Sequence, residues 1–276
     1  MRIAILGSGP IPNLLAQELN STEEVELFTS QNVTVNGIKI SDYRSLLSRA
    51  LDFDVVVFAW RGIPKTGTEK AAVLRQLVAN SSPETLIINM SSVSVYGQNS
   101  GVNFETTVPR PINPYGYSKY FLERYLNIFA SAKVCNLRIS NVFGCRKFND
   151  VINRILNAAA SQKTIELVSP GSVYRDFISS DTVIRIIINL IGERDDLNGR
   201  ELFNISSGKS ISLLQVMNII ENCLSRKISY NESVSSLNMI KSSYISNKKT
   251  LAFMNIGWET ELENIKKYSI SLLSDG

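Results

Sequence analysis

The sequence contains no histidine, and this absence removes several kinds of active site. Neither a Ser-His-Asp nor a Cys-His triad can be built, and imidazole ligands cannot hold a metal ion. Any general acid or base must be a tyrosine, lysine, aspartate, glutamate or cysteine.

Cysteine is scarce, with Cys135, Cys145 and Cys223 far apart along the chain. Their odd number and spacing indicate neither disulfide pairing nor a metal site, and they predict a reduced compartment. No apolar run is long enough to span a bilayer, and the first predicted strand begins at Arg2, which leaves no room for a signal peptide before it. We therefore expect a cytoplasmic protein that does not enter a membrane.

Charge is also limited, with 29 Lys and Arg residues against 25 Asp and Glu residues and a net charge of +4. The basic residues are scattered, which favours a solvated surface over a nucleic-acid interface. A length of 276 residues with 44% hydrophobic residues is enough for a sizeable core in one or two domains.

Apolar runs and helical patterns alternate along the first half of the chain. The predicted strands are Arg2–Leu6, Val25–Phe28, Val55–Ala59, Leu86–Met90 and Val134–Arg138. The predicted helices run through Leu14–Leu19, Asp42–Ala50, Glu69–Ala79 and Tyr115–Phe129. An Asn36-Gly37 pair within Val33–Ile40 predicts a small hairpin. Buried strands that alternate with helices indicate a parallel sheet covered on both faces.

The pattern changes beyond Asn141. The predicted elements there are helices at Val151–Ala160, Asp181–Leu190, Leu213–Leu224, Ser246–Met254 and Leu262–Leu273, a strand at Leu202–Ile205 and a turn at Gly257-Trp258. The Ser- and Asn-rich segment Asn231–Ser243 is the candidate mobile loop. We predict an α/β protein with a doubly wound parallel sheet in residues 1–140 and a smaller α/β lobe in residues 141–276, partly interleaved with the first domain.

A glycine turn, Gly7-Ser8-Gly9-Pro10-Ile11-Pro12, follows the first predicted strand. A strand, a glycine turn and a helix in this order point backbone N–H groups at a dinucleotide pyrophosphate. Gly7, Gly9 and Ile11 are the candidate cofactor-binding residues of this turn. Pro12 stands where such turns carry a third glycine for close packing of the helix on the strand. A tight turn without a ligand explains the pattern about equally well.

The end of the second predicted strand bears on which nicotinamide cofactor binds. Thr29, Ser30 and Gln31 follow Phe28, so the acid expected to hold the adenosine ribose is missing. No arginine follows at once to bind a ribose 2′-phosphate instead. The cofactor choice between NAD and NADP stays open.

The stretch Tyr115-Gly116-Tyr117-Ser118-Lys119 places a phenol and an ammonium four residues apart, on one face of a helix. A free tyrosine has a pKa near ~10, and a neighbouring ammonium lowers that value, so the pair can act as an acid and base. A surface helix with a Lys119–Glu123 ion pair is the alternative interpretation. A serine-rich turn, Ser91–Gly97, follows the Leu86–Met90 strand, and a hydroxyl there could bind the oxygen that the tyrosine protonates.

These features together resemble the NAD-dependent epimerase/dehydratase branch of the extended short-chain dehydrogenases. The stretches that carry the resemblance are Ser91–Gly97, Asn113–Lys119 with Glu123, Leu137–Gly144, Tyr174–Ile178 with Asp181, and Phe203–Ile211. They cover nearly the whole chain in the order of that family. The resemblance implies a Rossmann fold, a nucleotide-sugar substrate and a homodimer, for which the helix bearing Tyr115 shows a broad apolar face.

By this resemblance, Ser92, Tyr115 and Lys119 match the catalytic hydroxyl, tyrosine and lysine of the family, with Lys119 also holding the cofactor ribose. Asn141 and Arg175 match positions that contact the diphosphate of the substrate, and a planar guanidinium suits phosphate oxygens. An ion pair of Arg175 with Asp176 or Asp181 is the alternative for that residue.

Several positions depart from the family pattern around the cofactor. Asp42 matches the second acid of the adenine-binding motif, but Lys39 stands where the first is usual. Trp60-Arg61 replaces a pair of small residues after the third buried strand. Val93-Ser94 cannot supply the acid and base of the 4,6-dehydratases, and Cys145 is best explained as a small buried residue.

The hypothesis is an NAD(P)-dependent oxidoreductase or epimerase that transfers hydride at C4 of a nucleotide-activated sugar. A 4-epimerase and a 4-keto reductase are equally compatible with these motifs. The alternative is a non-catalytic nucleotide-binding or regulatory protein on the same fold, suggested by the altered glycine turn.

Overall fold

The computed structural model describes residues 1–30, 34–48, 52–62, 68–99, 101–146, 148–233, 242–254 and 261–274. Its strands are β1 (Arg2–Leu6), β2 (Glu24–Phe28), β3 (Lys39–Ser41), β4 (Val55–Phe58), β5 (Leu86–Ser92), β6 (Val102–Asn103), β7 (Lys133–Ile139), β8 (Asn141–Phe143), β9 (Ile165–Val168), β10 (Tyr174–Ser179), β11 (Arg200–Ile205), β12 (Ser210–Ser212), β13 (Tyr230–Ser233) and β14 (Tyr244–Ile245). Its α-helices are α1 (Pro10–Leu19), α2 (Glu69–Ala79), α3 (Pro114–Phe129), α4 (Val151–Ser161), α5 (Ser180–Gly192), α6 (Leu213–Leu224), α7 (Lys248–Met254) and α8 (Glu261–Ser274).

The large sheet has the strand order β11-β7-β5-β4-β1-β2-β3. The pairs of β1 with β2 and β4, of β2 with β3, and of β4 with β5 are parallel. The order reverses beside β1, as in a doubly wound sheet. Strands β1 and β4 are almost entirely buried, which explains their continuous apolar runs. The predicted fold class is confirmed.

The predicted hairpin at Val33–Ile40 is wrong. The N–H of Ile38 donates to the carbonyl of Val35 at 3.2 Å, so Asn36 and Gly37 do form a turn, with Gly37 at φ +72°. The chain after this turn then lies parallel to β2 as β3, rather than antiparallel to the segment before the turn. Val33 itself lies outside the described residues.

Two further predictions differ from the structure. Within Asp42–Ala50, a 3-10 helix at Tyr43–Leu47 replaces the predicted α-helix. The predicted mobile loop contributes Asn231–Ser233 to β13, which pairs with β9, and the N–H of Ser243 donates to Tyr174. Residues 234–241 of that loop and the predicted Gly257-Trp258 turn lie outside the described residues.

The chain divides into two compact units. The first contains residues 1–95, 114–138 and 184–203, and the second contains residues 96–113, 139–183 and 204–276. Each unit has its own apolar cluster, with Phe28, Phe58 and Leu122 buried in the first and Phe143, Ile155 and Ile220 in the second. The assignment of cofactor binding to the first and substrate binding to the second stays a prediction.

The small sheets belong to the second unit. Strand β10 pairs antiparallel with β12 and parallel with β8, while β13 pairs with β9 and β14 with β6. No helix in the described ranges combines the length and apolar character needed to cross a membrane.

Candidate active site

Two predicted site residues, Gly7 and Ser92, and the departing residue Trp60 stand at the ends of neighbouring strands of the large sheet. Gly7 comes directly after β1, Trp60 stands two residues after β4, and Ser92 ends β5. Because these three strands are parallel neighbours, the segments that follow them lie at one edge of the sheet. Ligands of open parallel sheets bind at this edge.

Gly7 has a backbone conformation that only glycine adopts without strain. Its φ is +147°, and its N–H donates to the carbonyl of Phe28 at 3.0 Å. A Cβ atom there would lie 3.0 Å from the carbonyl oxygen of Ala59. Position 7 therefore requires glycine, because the turn after β1 packs closely against the backbone after β4.

Gly9 has ordinary backbone angles and precedes the first residue of α1. A Cβ atom there would contact only Pro12, at 3.7 Å, so the protein itself leaves space over this residue. The helix then begins at Pro10, and both Pro10 and Pro12 lack an N–H. Ile11 keeps an N–H in this turn, while that of Asn13 donates to the carbonyl of Gly9 at 3.2 Å. The helix start offers fewer donors than an ordinary helix N-terminus.

The two residues at the positions of the adenine-binding motif, Lys39 and Asp42, both have partners within the protein. Asp42 caps the 3-10 helix by accepting the N–H of Arg44 at 2.8 Å and also forms an ion pair with its guanidinium. Lys39 forms an ion pair with Glu26, a buried residue inside β2, at 3.1 Å. The sequence analysis did not single out Glu26. Its partner Lys39 is in β3, and only the pairing of β3 with β2 brings the two side chains together.

Ser92 and Tyr115 lie near each other, close enough for the Ser92 hydroxyl to lower the pKa of the phenol. Ser92 is buried at the end of β5, and its oxygen also accepts the N–H of Ser94 at 3.2 Å. Tyr115 is in the first turn of α3. The residue is 44% exposed overall, but burial around its phenol raises the pKa, while the Ser92 hydroxyl and the charge of Arg61 act in the opposite direction. The lowering expected from the Lys119 ammonium therefore does not determine the pKa of this phenol, because desolvation is the largest influence on it.

Lys119 is 4% exposed, one turn after Tyr115 on α3. Its ammonium donates to the carbonyl oxygens of Trp60 and Met90, each at 2.6 Å, and lies 5.7 Å from the centre of the Tyr115 ring. Burial lowers the pKa of Lys119 to about 8, while Glu123 raises it and Arg61 lowers it further. The alternative of an ordinary surface helix is excluded by this burial.

Trp60 and Arg61, which are adjacent in the sequence, have different environments. Trp60 is buried, with its ring 5.2 Å from that of Phe58. Arg61 is exposed and acts electrostatically on both Tyr115 and Lys119. Its proximity to the tyrosine is a feature that sequence spacing did not reveal, since about fifty residues separate the two.

Asn141 and Arg175 belong to the second unit, on the paired strands β8 and β10. The amide of Asn141 donates to the carbonyl of Asp176 at 2.8 Å. The guanidinium of Arg175 donates to the carbonyl of Tyr174 at 3.1 Å, and burial lowers its pKa. Asp176, one of its two alternative partners, is buried and accepts bonds from the N–H and hydroxyl of Ser207 at 2.8 and 3.0 Å.

The residues of the glycine turn fit a dinucleotide. Gly7 brings the turn close to the sheet, the space over Gly9 admits a ligand, and Ile11 supplies an N–H. Lys119 is held at the same sheet edge by the carbonyls of Trp60 and Met90. Within the described residues, no cluster of acidic or cysteine side chains suits a metal ion.

A model of the NAD dependent epimerase/dehydratase family matches residues 66–206, just over half of the chain. The chain belongs to this family. The recognition made on the motifs is thereby confirmed, and so is the class of enzyme.

Two relatives and one solved structure illustrate the similarity. GDP-6-deoxy-D-talose 4-dehydrogenase of Aggregatibacter actinomycetemcomitans is 28% identical over 80% of this chain and 79% of its own length. The dTDP-4-dehydro-6-deoxyglucose reductase of Escherichia coli is 32% identical over 52% of this chain and 47% of its own length. The structure of MoeE5 in complex with UDP-glucose and NAD has a TM-score of 0.85 at 21% identity and covers 100% of this chain and 99% of MoeE5. The last likeness concerns the fold.

Proposed function

We propose that this protein transfers hydride at C4 of a nucleotide-activated sugar, using NAD as its cofactor. The observation that carries the proposal is the Ser92 hydroxyl near the Tyr115 phenol, on the helix that also holds the buried ammonium of Lys119. The names of three relatives support the position: a 4-dehydrogenase, a dTDP-L-rhamnose 4-epimerase and a reductase of a 4-dehydro sugar.

The cofactor would be held by Gly7, Gly9 and Ile11 at its pyrophosphate and by Lys119 at a ribose. Asp42 is the candidate contact for the adenosine. When bound, NAD supplies the hydride acceptor or donor. We assign binding of the substrate diphosphate to Asn141 and Arg175 of the second unit, because an amide and a guanidinium suit phosphate oxygens.

Proton transfer falls to Tyr115 in this proposal. In the direction of reduction, its hydroxyl gives a proton to the sugar oxygen, while the hydroxyl of Ser92 orients that oxygen by a second hydrogen bond. The positive charge of Lys119 stabilises the phenolate that remains. In the direction of oxidation the same phenolate removes the proton.

Dehydration is not part of the proposal. The segment after Ser92 forms a 3-10 helix at Val93–Tyr96, and the side chain of Val93 is buried. Neither Val93 nor Ser94 can act as the acid or base that elimination of water requires. Epimerisation and reduction both remain within the proposed chemistry.

A homodimer through α3 is the second part of the proposal. Phe121, Tyr125 and Phe129 form a row of rings along this helix, with centroids 6.5 and 4.9 Å apart. Phe121 and Phe129 are more than half exposed, and a groove of about 510 Å³ runs beside Phe121 and Arg124. An exposed aromatic row of this size is typical of a contact surface, and a two-fold axis would pair it with itself.

The experiment begins with titration of the purified protein with NADH and NADPH, followed by nicotinamide fluorescence. UDP-, dTDP- and GDP-linked sugars with a hydroxyl or keto group at C4 are then offered. Tyr115→Phe should lower turnover by at least ~100-fold. Tyr230→Phe, which changes an exposed tyrosine of β13, is the control.

Each outcome of this experiment decides one part of the proposal. Retained NAD together with interconversion of C4 epimers identifies an epimerase, and exchangeable cofactor with reduction of a 4-keto sugar identifies a reductase. If folded protein binds neither cofactor, the non-catalytic alternative replaces the proposal, and the two prolines of α1 explain the loss. Unchanged turnover in Tyr115→Phe would remove this tyrosine from the reaction.

A further inference from the structure

Glu123 lies one turn beyond Lys119 on α3 and is 3% exposed. One carboxylate oxygen accepts the hydroxyl of Ser91 at 2.5 Å and the Nε–H of Arg138 at 3.0 Å. The other oxygen accepts Nη2 of Arg138 at 2.8 Å. The carboxylate thus accepts two hydrogen bonds from a buried guanidinium, one at each oxygen, and a third from a serine hydroxyl.

This carboxylate joins three elements of the first unit. Ser91 is in β5 and immediately precedes Ser92, Glu123 shares α3 with Tyr115 and Lys119, and Arg138 is in β7, the neighbour of β5 in the sheet. The bonds of Glu123 therefore fix the serine at the end of β5 against the helix that carries the tyrosine and lysine.

Glu123 also contributes to the electric field at Lys119. Among the residues that the structure describes, the charged or titratable groups that face this ammonium are Tyr115 and Glu123 from its own helix and Arg61 from the segment after β4. Glu123 raises the pKa of Lys119, and Arg61 lowers it. Arg138 neutralises the charge of Glu123 by binding its carboxylate, so removing either member of the pair should change the field at Lys119 with opposite sign.

We infer that Glu123 is a positioning residue of the proposed reaction, which keeps the serine turn in register with α3 and preserves the positive charge of Lys119. The inference rests on the proposed function. Stability alone is a poor reason for this arrangement, because a buried ion pair offers little net stabilisation over apolar residues of similar size.

The test compares Glu123→Gln, Arg138→Gln and the double variant by the pH dependence of kcat/KM. In the proposed reaction, kcat/KM falls at alkaline pH as Lys119 loses its charge, and this fall is the alkaline limb of the profile. Glu123→Gln leaves a buried guanidinium unbalanced, so the alkaline limb should move to lower pH by about one unit. Arg138→Gln leaves a buried carboxylate unbalanced, so the limb should move to higher pH. In the double variant the limb should lie between those of the two single variants. A core ion pair with a structural role only would lower activity in both single variants without shifting the limb in opposite directions.

Ser91→Ala and Ser91→Thr keep the inference testable if the charge variants do not fold. Ser91→Ala removes one bond to Glu123 without changing any charge, so kcat should fall roughly tenfold with the limb unmoved, since small displacements of catalytic groups are costly. Ser91→Thr keeps the hydroxyl and should restore kcat. Wild-type kcat in Ser91→Ala would overturn the inference. If Tyr115→Phe also retains full turnover, the proposed function fails; if only the Glu123 and Ser91 results disagree, this inference alone fails.

Discussion

The ammonium of Lys119 lies 2.6 Å from the carbonyl oxygen of Trp60, a residue that is itself buried against Phe58. A second carbonyl, from Met90, accepts from the same ammonium at 2.6 Å. These carbonyls belong to segments after β4 and near the end of β5. The lysine is thus held in place by backbone that the sheet makes rigid, while its desolvation lowers its pKa to about 8.

Activity in the direction of reduction should decline as the pH rises through about 8, because Lys119 loses its charge there. Tyr115 should not cause a further loss of activity below about pH 8. Burial raises its pKa above the ordinary value, so the phenol stays protonated in this range. The measurement is kcat/KM against pH, which reports groups of the free enzyme. A flat profile between pH 7 and 9 would contradict the role of the Lys119 charge.

Arg61→Met should move the same limb to higher pH. Arg61 lowers the pKa of Lys119 by charge repulsion, and its side chain is exposed, so its removal leaves the core intact. Arg61→Lys keeps the charge and is the matched control. A limb that moves equally in both variants would mean that the guanidinium acts through contacts rather than through its charge.

The two glycines of the turn after β1 should respond differently to alanine. Gly7→Ala meets the carbonyl of Ala59 at a strained φ, so thermal unfolding should occur several degrees lower. Gly9→Ala meets only Pro12 at an ordinary distance and should keep the wild-type Tm while weakening NADH binding. Unchanged NADH affinity in Gly9→Ala would show that the cofactor does not approach this residue.

Asp176 should make the protein less stable as the pH rises. Burial raises the pKa of this acid from its ordinary value to about 7, so between about pH 4 and 7 the folded state holds a proton that the unfolded state has lost. Stability from this group is therefore present at low pH and is lost as the pH passes through about 7. Asp176→Asn should flatten the dependence of Tm on pH between 5 and 8, and an equal slope in both proteins would contradict the assignment.

Phe121→Asp should separate the proposed dimer, because it places a charge in the exposed aromatic row of α3. Sedimentation velocity should give a monomer with an unchanged circular dichroism spectrum. Val108→Asp, at an exposed position in the second unit, is the control and should stay dimeric. A wild-type protein that is already monomeric at micromolar concentration would rule out the α3 dimer.

Local patterns in the sequence were sufficient for most of the elements. Helices α2 and α6 begin and end at the predicted residues, since each combines a helical apolar period with a capping side chain, Thr68 and Ser212. The hairpin prediction failed because the Asn36-Gly37 turn specifies a reversal of the chain but not the strand with which the next segment pairs. That choice depends on β2, whose edge is available to β3.

The sequence predicted the types of residue in the candidate site and their order along the chain. It did not predict their pKa values or the groups that bind them. The spacing of Tyr115 and Lys119 indicated a shared helix face, yet the carbonyls that hold Lys119 come from Trp60 and Met90, which only the fold brings near. For the same reason the sequence suggested a Lys119–Glu123 ion pair, whereas Glu123 is bound by Arg138 and Ser91. Desolvation, which dominates both pKa values, is a property of the packed protein.

The two prolines in the first turn of α1 affect ligand binding through the entropy of the backbone as well as through the two N–H groups that they lack. A proline ring fixes its φ near −65°, so Pro10 and Pro12 restrict the backbone on both sides of Ile11 before any ligand arrives. A flexible glycine loop loses conformational entropy when it closes on a phosphate, and a preorganised turn loses less. Fewer hydrogen bonds, each formed at a smaller entropic loss, would make pyrophosphate binding here less enthalpic than in a loop with three glycines.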